Sequence, residues 1–153
     1  GHQLKPLTEV HCYTFPASVI LQFTSILFNG VPVRFPKLKL TFLEIGASWL
    51  PYCLPRMDEH WELRGEFETP LLTKEPSEIF RESPIYVSLE AEEMLLPQTI
   101  DYVGDDHFLY ASDFPHWDAG FPKNIETLES RADLSEETKR KILYRNPKAF
   151  FGL

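Results

Sequence analysis

The stretch Leu38-Lys-Leu-Thr-Phe-Leu-Glu-Ile-Gly-Ala-Ser48 decides how the chain folds. Residues 38–43 are rich in β-formers and too few for a helix, so they read as a short buried strand. A carboxylate, Glu44, follows at once. From Trp49 to Arg64, apolar Leu50, Leu54, Met57 and Trp61 then recur at helical spacing, with Asp58, Glu59 and Glu62 on the other side. Pro51 fits a first helical turn, whereas Pro55 removes a hydrogen bond and predicts a kink.

Working outward, the same alternation recurs. Upstream, residues 1–14 read as polar and irregular, and Val19, Ile20, Phe23, Ile26 and Leu27 predict an amphipathic helix from Ala17 to Phe28, stopped by Asn29-Gly30. A Pro-marked turn follows. Downstream, residues 65–82 form an excursion with a short helix near Ser77 to Arg81, and Ile85-Tyr-Val-Ser-Leu89 is a second strand. Glu90 to Val103 is a poorer helix interrupted by Pro97, and the polar turn Gly104-Asp-Asp-His107 leads to a third strand, Phe108-Leu-Tyr-Ala111. A helix at Asn124 to Arg131 precedes a last one capped by Ser135, with Lys139, Arg140 and Lys141 solvated, Ile142, Leu143, Ala149 and Phe150 facing a core, and Gly152 closing it. Short apolar strands alternating with helices need crossover connections, so the class is α/β with a parallel sheet. Three strands leave two open edges, which suits a portion of a larger domain.

Composition narrows the function classes. The 153 residues carry 15 Lys+Arg against 23 Asp+Glu, a formal charge of −8. With no basic block, the chain is a poor partner for nucleic acid or an anionic membrane face. Its apolar runs are broken short of the roughly 20 residues a membrane helix needs, and a soluble, cytoplasmic protein is the expectation. Cys12 and Cys53 are too few for a disulfide framework and read as buried thiols. The chain opens Gly1-His2 without an initiator Met or a signal-peptide pattern, the expectation for a processed chain or a piece of a longer one.

Ligands of parallel α/β folds collect at the carboxyl ends of strands. Three such ends carry ionisable groups: Glu44, Glu90, and Asp113 with His116. A carboxylate just beyond a buried strand needs a partner, and for Asp113 that is either a divalent ion or the backbone N–H groups of its own turn. His116 is a substrate contact or a solvated loop residue. Glu44 is a ligand or general base, a cap of the helix at Trp49 or half of an ion pair. Glu90, followed by Glu92 and Glu93, reads as the start of a solvated helix. The tryptophans Trp49, Trp61 and Trp117 read as core, and Arg56 with Asp58 as a surface pair. Phosphate-binding glycine loops, H-E-x-x-H and G-x-S-x-G are all absent from the sequence. One good metal ligand and two doubtful ones fall short of the three or four an ion requires.

Taken together, Gly30 to Tyr52, Arg56-Met-Asp-Glu-His-Trp61, Tyr86-Val-Ser88, Tyr110-Ala-Ser-Asp-Phe-Pro-His-Trp-Asp118 and Asn146-Pro-Lys-Ala-Phe-Phe-Gly152 resemble the amidohydrolase-related family. Its members are metal-dependent hydrolases and decarboxylases of the aminocarboxymuconate-semialdehyde decarboxylase kind. The resemblance implies a (β/α)₈ TIM barrel of which residues 1–153 are the C-terminal half, holding strands six to eight. It implies one divalent ion, zinc ahead of manganese, held by an H-x-H pair on strand one, a His on strand five and an Asp after strand eight. Only the Asp maps here, onto Asp113; the H-x-H pair is absent from the chain, and His2 would be the strand-five His only with an unusually short loop before the first helix. Where many members carry a strand-six His, this chain has Glu44. The resemblance therefore implies catalytic roles for Asp113 and Glu44, with His116 and Trp49 lining a pocket for a small organic acid or aromatic substrate. Arg56 would lie near a subunit contact, and a homo-oligomer is implied for the full-length protein. The competing reading is a non-catalytic half-barrel that serves as a structural or interaction module.

Overall fold

The computed structural model describes residues 5–116 and 119–153. Its elements run α1 (Leu7–Phe28), α2 (Val31–Arg34), β1 (Leu40–Phe42), α3 (Leu50–Glu68), α4 (Pro76–Glu82), β2 (Ile85–Leu89), α5 (Leu96–Val103), β3 (Phe108–Tyr110), α6 (Lys123–Ser130), α7 (Glu136–Arg140) and α8 (Asn146–Phe151). A 3₁₀ turn at Asp105–His107 precedes β3, and a π turn at Lys141–Arg145 joins α7 to α8. The strands form one parallel sheet in the order β1-β2-β3, with Leu40 opposite Ile85 and Val87 opposite Phe108. The α/β class and the parallel sheet expected from the alternation are therefore present.

Strand periodicity sorts the sheet's two faces. Phe42, Ile85, Val87, Leu89 and Phe108 join the core beneath the helices, with Phe23, Leu27, Leu54 and Phe80. Phe23 is its hub: fully buried, it meets the rings of Phe42, Trp49 and Phe80 edge-on at 5.2, 4.8 and 5.7 Å. Thr41, Tyr86, Ser88 and Leu109 lie on the alternate register positions. The end of α8 reaches this second face, where Phe150 meets Tyr86 at 5.3 Å and Lys39 Nζ donates to the carbonyls of Ala149 and Phe150.

Several expectations are corrected. Residues 7–14 are helical, because α1 runs through Pro16. At 22 residues it is long and apolar enough, by length and composition, to cross a membrane, contrary to the expectation of broken apolar runs; its last turns bury Phe23 and Leu27 in the core. The extended helix carries Cys12 into solvent, so only Cys53 is a buried thiol, pushed up by that burial. Pro97 does not interrupt α5 but stands in its first turn, where its missing N–H costs nothing. Ser135 caps α7 as expected, accepting from the Thr138 N–H. Lys139 is buried rather than solvated, because its ammonium donates to the Glu129 carbonyl and pairs with Glu136. Lys141 is half-buried between Asp105 and Asp106, and Ala149 is exposed. Asp58 turns to α4, where its carboxylate accepts the Ser77 N–H at 2.8 Å.

Candidate functional site

The carboxyl ends of the three strands open on one cleft of about 180 Å³. Glu44 enters from the loop after β1, Ser88 and Glu90 from the end of β2, and Ser112, Asp113 and His116 from the loop after β3. Asp113 and His116 are neighbours: His116 Nδ1 stands 3.4 Å from Asp113 Oδ2, and the His116 N–H donates to the Asp113 carbonyl at 2.8 Å. Both side chains are roughly half exposed, open to whatever fills the cleft.

Among the described residues, the non-glycine residues with positive φ are Glu44 at 72° and Asp113 at 51°. Side chains with a Cβ populate this region sparingly, and such positions concentrate where a site requires them. The consequence here is geometric: Glu44 lies two residues past β1 and Asp113 three past β3, and both line the cleft at the sheet's end. Glu44 is held there by its own N–H, which donates to Ser88 Oγ at 2.9 Å, and Ser88 is almost fully buried. At the far side, the Tyr110 hydroxyl donates to Asn124 Oδ1 at 2.7 Å, and burial pushes that hydroxyl above its ordinary range.

Comparison with known proteins then places the chain. The model of a family described as Amidohydrolase matches residues 9–153. The chain belongs to the amidohydrolase family. It is 28% identical over 138 residues to 2-amino-3-carboxymuconate-6-semialdehyde decarboxylase from Dictyostelium discoideum, covering 90% of this chain and 38% of that protein. Among solved structures it resembles an amidohydrolase from Mycobacterium avium subsp. paratuberculosis K-10, with a TM-score of 0.79 at 23% identity over 97% of this chain and 36% of the other. It also resembles a dihydroxybenzoic acid decarboxylase from Polaromonas sp. JS666, solved with bound manganese and the inhibitor 2-nitroresorcinol. There the TM-score is 0.71 at 20% identity, covering 99% of this chain and 48% of the other. The chain thus spans less than half the length of each of these relatives.

Within this amidohydrolase chain, the structure brings Asp113, His116 and Glu44 to one cleft and leaves Trp49 out of it. The Trp49 indole packs edge-on against Phe23, and its Nε1 donates to the Gly46 carbonyl at 2.8 Å, so it braces the loop beneath Glu44. His2 and Trp117 lie outside the described residues. Two contributors escaped the sequence reading. His11 lines the cleft because α1 begins ten residues earlier than its apolar spacing predicts, and it stacks on Phe15, with ring centroids 5.8 Å apart. Glu93 is no solvated helix start: its carboxylate accepts the N–H groups of Ala47, Ser48 and Glu90. The available signal was a carboxylate three residues after the Glu90 N–H that it accepts, but its other partners, Ala47 and Ser48, belong to a different strand-end loop.

The donor set decides how far a metal fits. Asp113 is a hard oxygen ligand facing the cleft, yet no three His, Cys, Asp or Glu side chains among the described residues stand close enough together to hold an ion. These residues do not by themselves form a metal centre. Glu44, Glu90 and Asp113 line the cleft together with His11 and His116, and no described Lys or Arg does.

Proposed function

We propose that the chain forms the Asp113 side of the active site of a metal-dependent hydrolase or decarboxylase acting on a small organic acid or aromatic. The observation that carries this reading is the convergence of Asp113, His116 and Glu44 on one cleft at the strand ends, with the backbone of both carboxylates turned left-handed. Three carboxylates around one opening repel an anionic substrate unless a cation stands among them. Asp113 is then one ligand of a divalent ion, zinc or manganese, whose other ligands lie outside these residues. Asp113 and Glu44 hold and exchange protons at the cleft, and His116 lines the substrate's approach. In this reading β1, β2 and β3 are strands six, seven and eight of a (β/α)₈ barrel. Its support is the superposition on longer amidohydrolase structures together with the pairing of β1 and β3 on one side only. The small-molecule substrate, the homo-oligomer and the absence of nucleic-acid and membrane partners remain part of the same proposal.

The test is the protein encoded by the complete gene, assayed for metal content and for release of carbon dioxide from dihydroxybenzoates and aminocarboxymuconate semialdehyde, and for hydrolysis of their esters and amides. Asp113→Asn is expected to lower both bound metal and turnover, the latter by roughly 10²-fold or more. A wild-type protein with no metal and no turnover would favour the structural half-barrel, the reading that the incomplete ligand set among the described residues supports.

A further inference from the structure

The loops that follow β1 and β2 are tied by one side chain. Glu93 Oε1 accepts the Glu90 N–H at 2.7 Å and the Ala47 N–H at 3.0 Å, while Oε2 accepts the Ser48 N–H at 2.7 Å and the Ser48 hydroxyl. The β1 loop is shaped for this contact. Gly46 has φ +66°, and a Cβ there would meet Glu93 Oε1 at 2.9 Å, so the carboxylate occupies space that only glycine leaves open. Glu44 and Gly46, both left-handed, flank Ile45 and turn the next two N–H groups toward Glu93. Glu93 is itself fixed from the turn after α6. Arg131 Nη1 donates to the Ala91 and Glu93 carbonyls at 2.9 and 2.7 Å, and its other nitrogens hold Asp133. The Arg131 side chain is only 11% exposed.

We propose that Glu93, braced by Arg131, is a positioning residue that sets the Glu44 backbone, and with it one wall of the cleft. It touches neither the cleft nor the Glu44 side chain. It acts by fixing the C-terminal end of the 44–48 loop, while Ser88 fixes the N-terminal end. The proposal rests on the reading of Glu44 as a working side chain of the cleft. Its physical part, the coupling of Glu93 to Glu44, stands independently of what reaction occurs.

Glu93→Gln tests it without changing volume. A Gln side chain has one acceptor oxygen, and its amide NH₂ would face N–H donors that now share two carboxylate oxygens. Amide hydrogen exchange on the purified protein is the readout. Exchange is expected to quicken roughly tenfold or more at Ala47, Ser48 and Glu90, the size expected when charge-assisted hydrogen bonds are lost. It is also expected to quicken at Glu44, whose N–H bonds Ser88 and not Glu93, while Val87 and Leu89 within β2 are unchanged. Quickening at Ala47, Ser48 and Glu90 with Glu44 unaffected would mean a purely local cap and overturn the proposal. So would wild-type exchange throughout. Should Glu93→Gln fail to fold, Ser48→Ala removes one contact, the Ser48 hydroxyl to Glu93 Oε2, less severely, and Glu44 exchange is expected to rise roughly threefold; no rise overturns the proposal. In the complete enzyme, Glu93→Gln is expected to lower kcat with KM little changed. A protein with no turnover at all would remove the catalytic reading and leave the exchange result to decide the coupling.

Discussion

His107 shows what a single buried residue contributes at the end of the sheet away from the cleft. Its ring is 8% exposed and tilted against Phe80 at 4.7 Å, and its Nδ1 donates to the Ile85 carbonyl at 2.9 Å. Burial holds this imidazole below its ordinary value of 6.5, against the opposing pull of the Ile85 hydrogen bond. A folded-state value below the unfolded one means that the unfolded chain binds the proton more readily, so the contribution to stability is complete above the unfolded value and is lost as pH falls below it. Urea denaturation from about pH 8 to about pH 5 is therefore expected to show stability falling below about pH 6.5, by no more than about 1.4 kcal/mol per pH unit, with the slope reduced in His107→Gln. An unchanged slope would show that His107 protonates without penalty. At this scale the sequence was informative where chemistry follows a strand: Glu44 and Asp113 stand where strand-end logic put them. It failed where a side chain serves a distant backbone. The Glu90 N–H, three residues back, is a local partner of Glu93, but nothing in the run Glu90-Ala-Glu-Glu93 marks its bonds to Ala47 and Ser48, which lie more than forty residues away.

Between residue and fold stand the element ends. Prolines marked them ambiguously: Pro97 opens α5, whereas Pro16 sits inside α1 although the same residue type in mid-helix costs a hydrogen bond. Sequence spacing located every strand, two of them longer than observed, and missed the first turns of α1, whose side chains are largely exposed and so leave no buried stripe to read. The C-terminal elements were read as one helix with a solvated basic face; they are two helices and a π turn, docked on the 3₁₀ turn before β3. Burial draws the Asp105 carboxyl upward, but hydrogen bonds from Lys141 and Thr138 outweigh it and hold it below the usual range. The stronger tie is Asn146, 4% exposed, whose Nδ2 donates to the carbonyls of Asp105 and Phe108 at 2.8 and 2.9 Å. Asn146→Ala leaves both carbonyls without that donor and is expected to cost about 1–3 kcal/mol in chemical denaturation. Lys148→Ala, at an exposed position two residues further along α8, is expected to change stability by less than about 0.5 kcal/mol. Equal effects would mean that α8 is not docked through Asn146.

For the molecule as a whole, charge and ligand count make opposite demands on the cleft. The chain carries a formal −8, and Glu44, Glu90 and Asp113 concentrate part of it where the strands end. Mutual repulsion of carboxylates at one opening favours capture of a cation. Selective capture of zinc or manganese, however, requires three or four protein ligands in fixed geometry, and no group of three stands together among the described residues. Affinity should therefore be weak and unselective in the 153-residue chain by itself. Equilibrium dialysis of that chain against micromolar zinc or manganese is expected to retain far less than one equivalent, with whatever binds displaced by moderate salt, because exposed charges are screened within roughly a Debye length. The protein from the complete gene is expected to retain about one equivalent that resists the same salt, and to lose it in Asp113→Asn. Stoichiometric, salt-resistant metal in the 153-residue chain would show that these residues assemble a full ligand set. The Asp113–His116 pair would then be its first two members, and the cleft would be a metal centre in its own right.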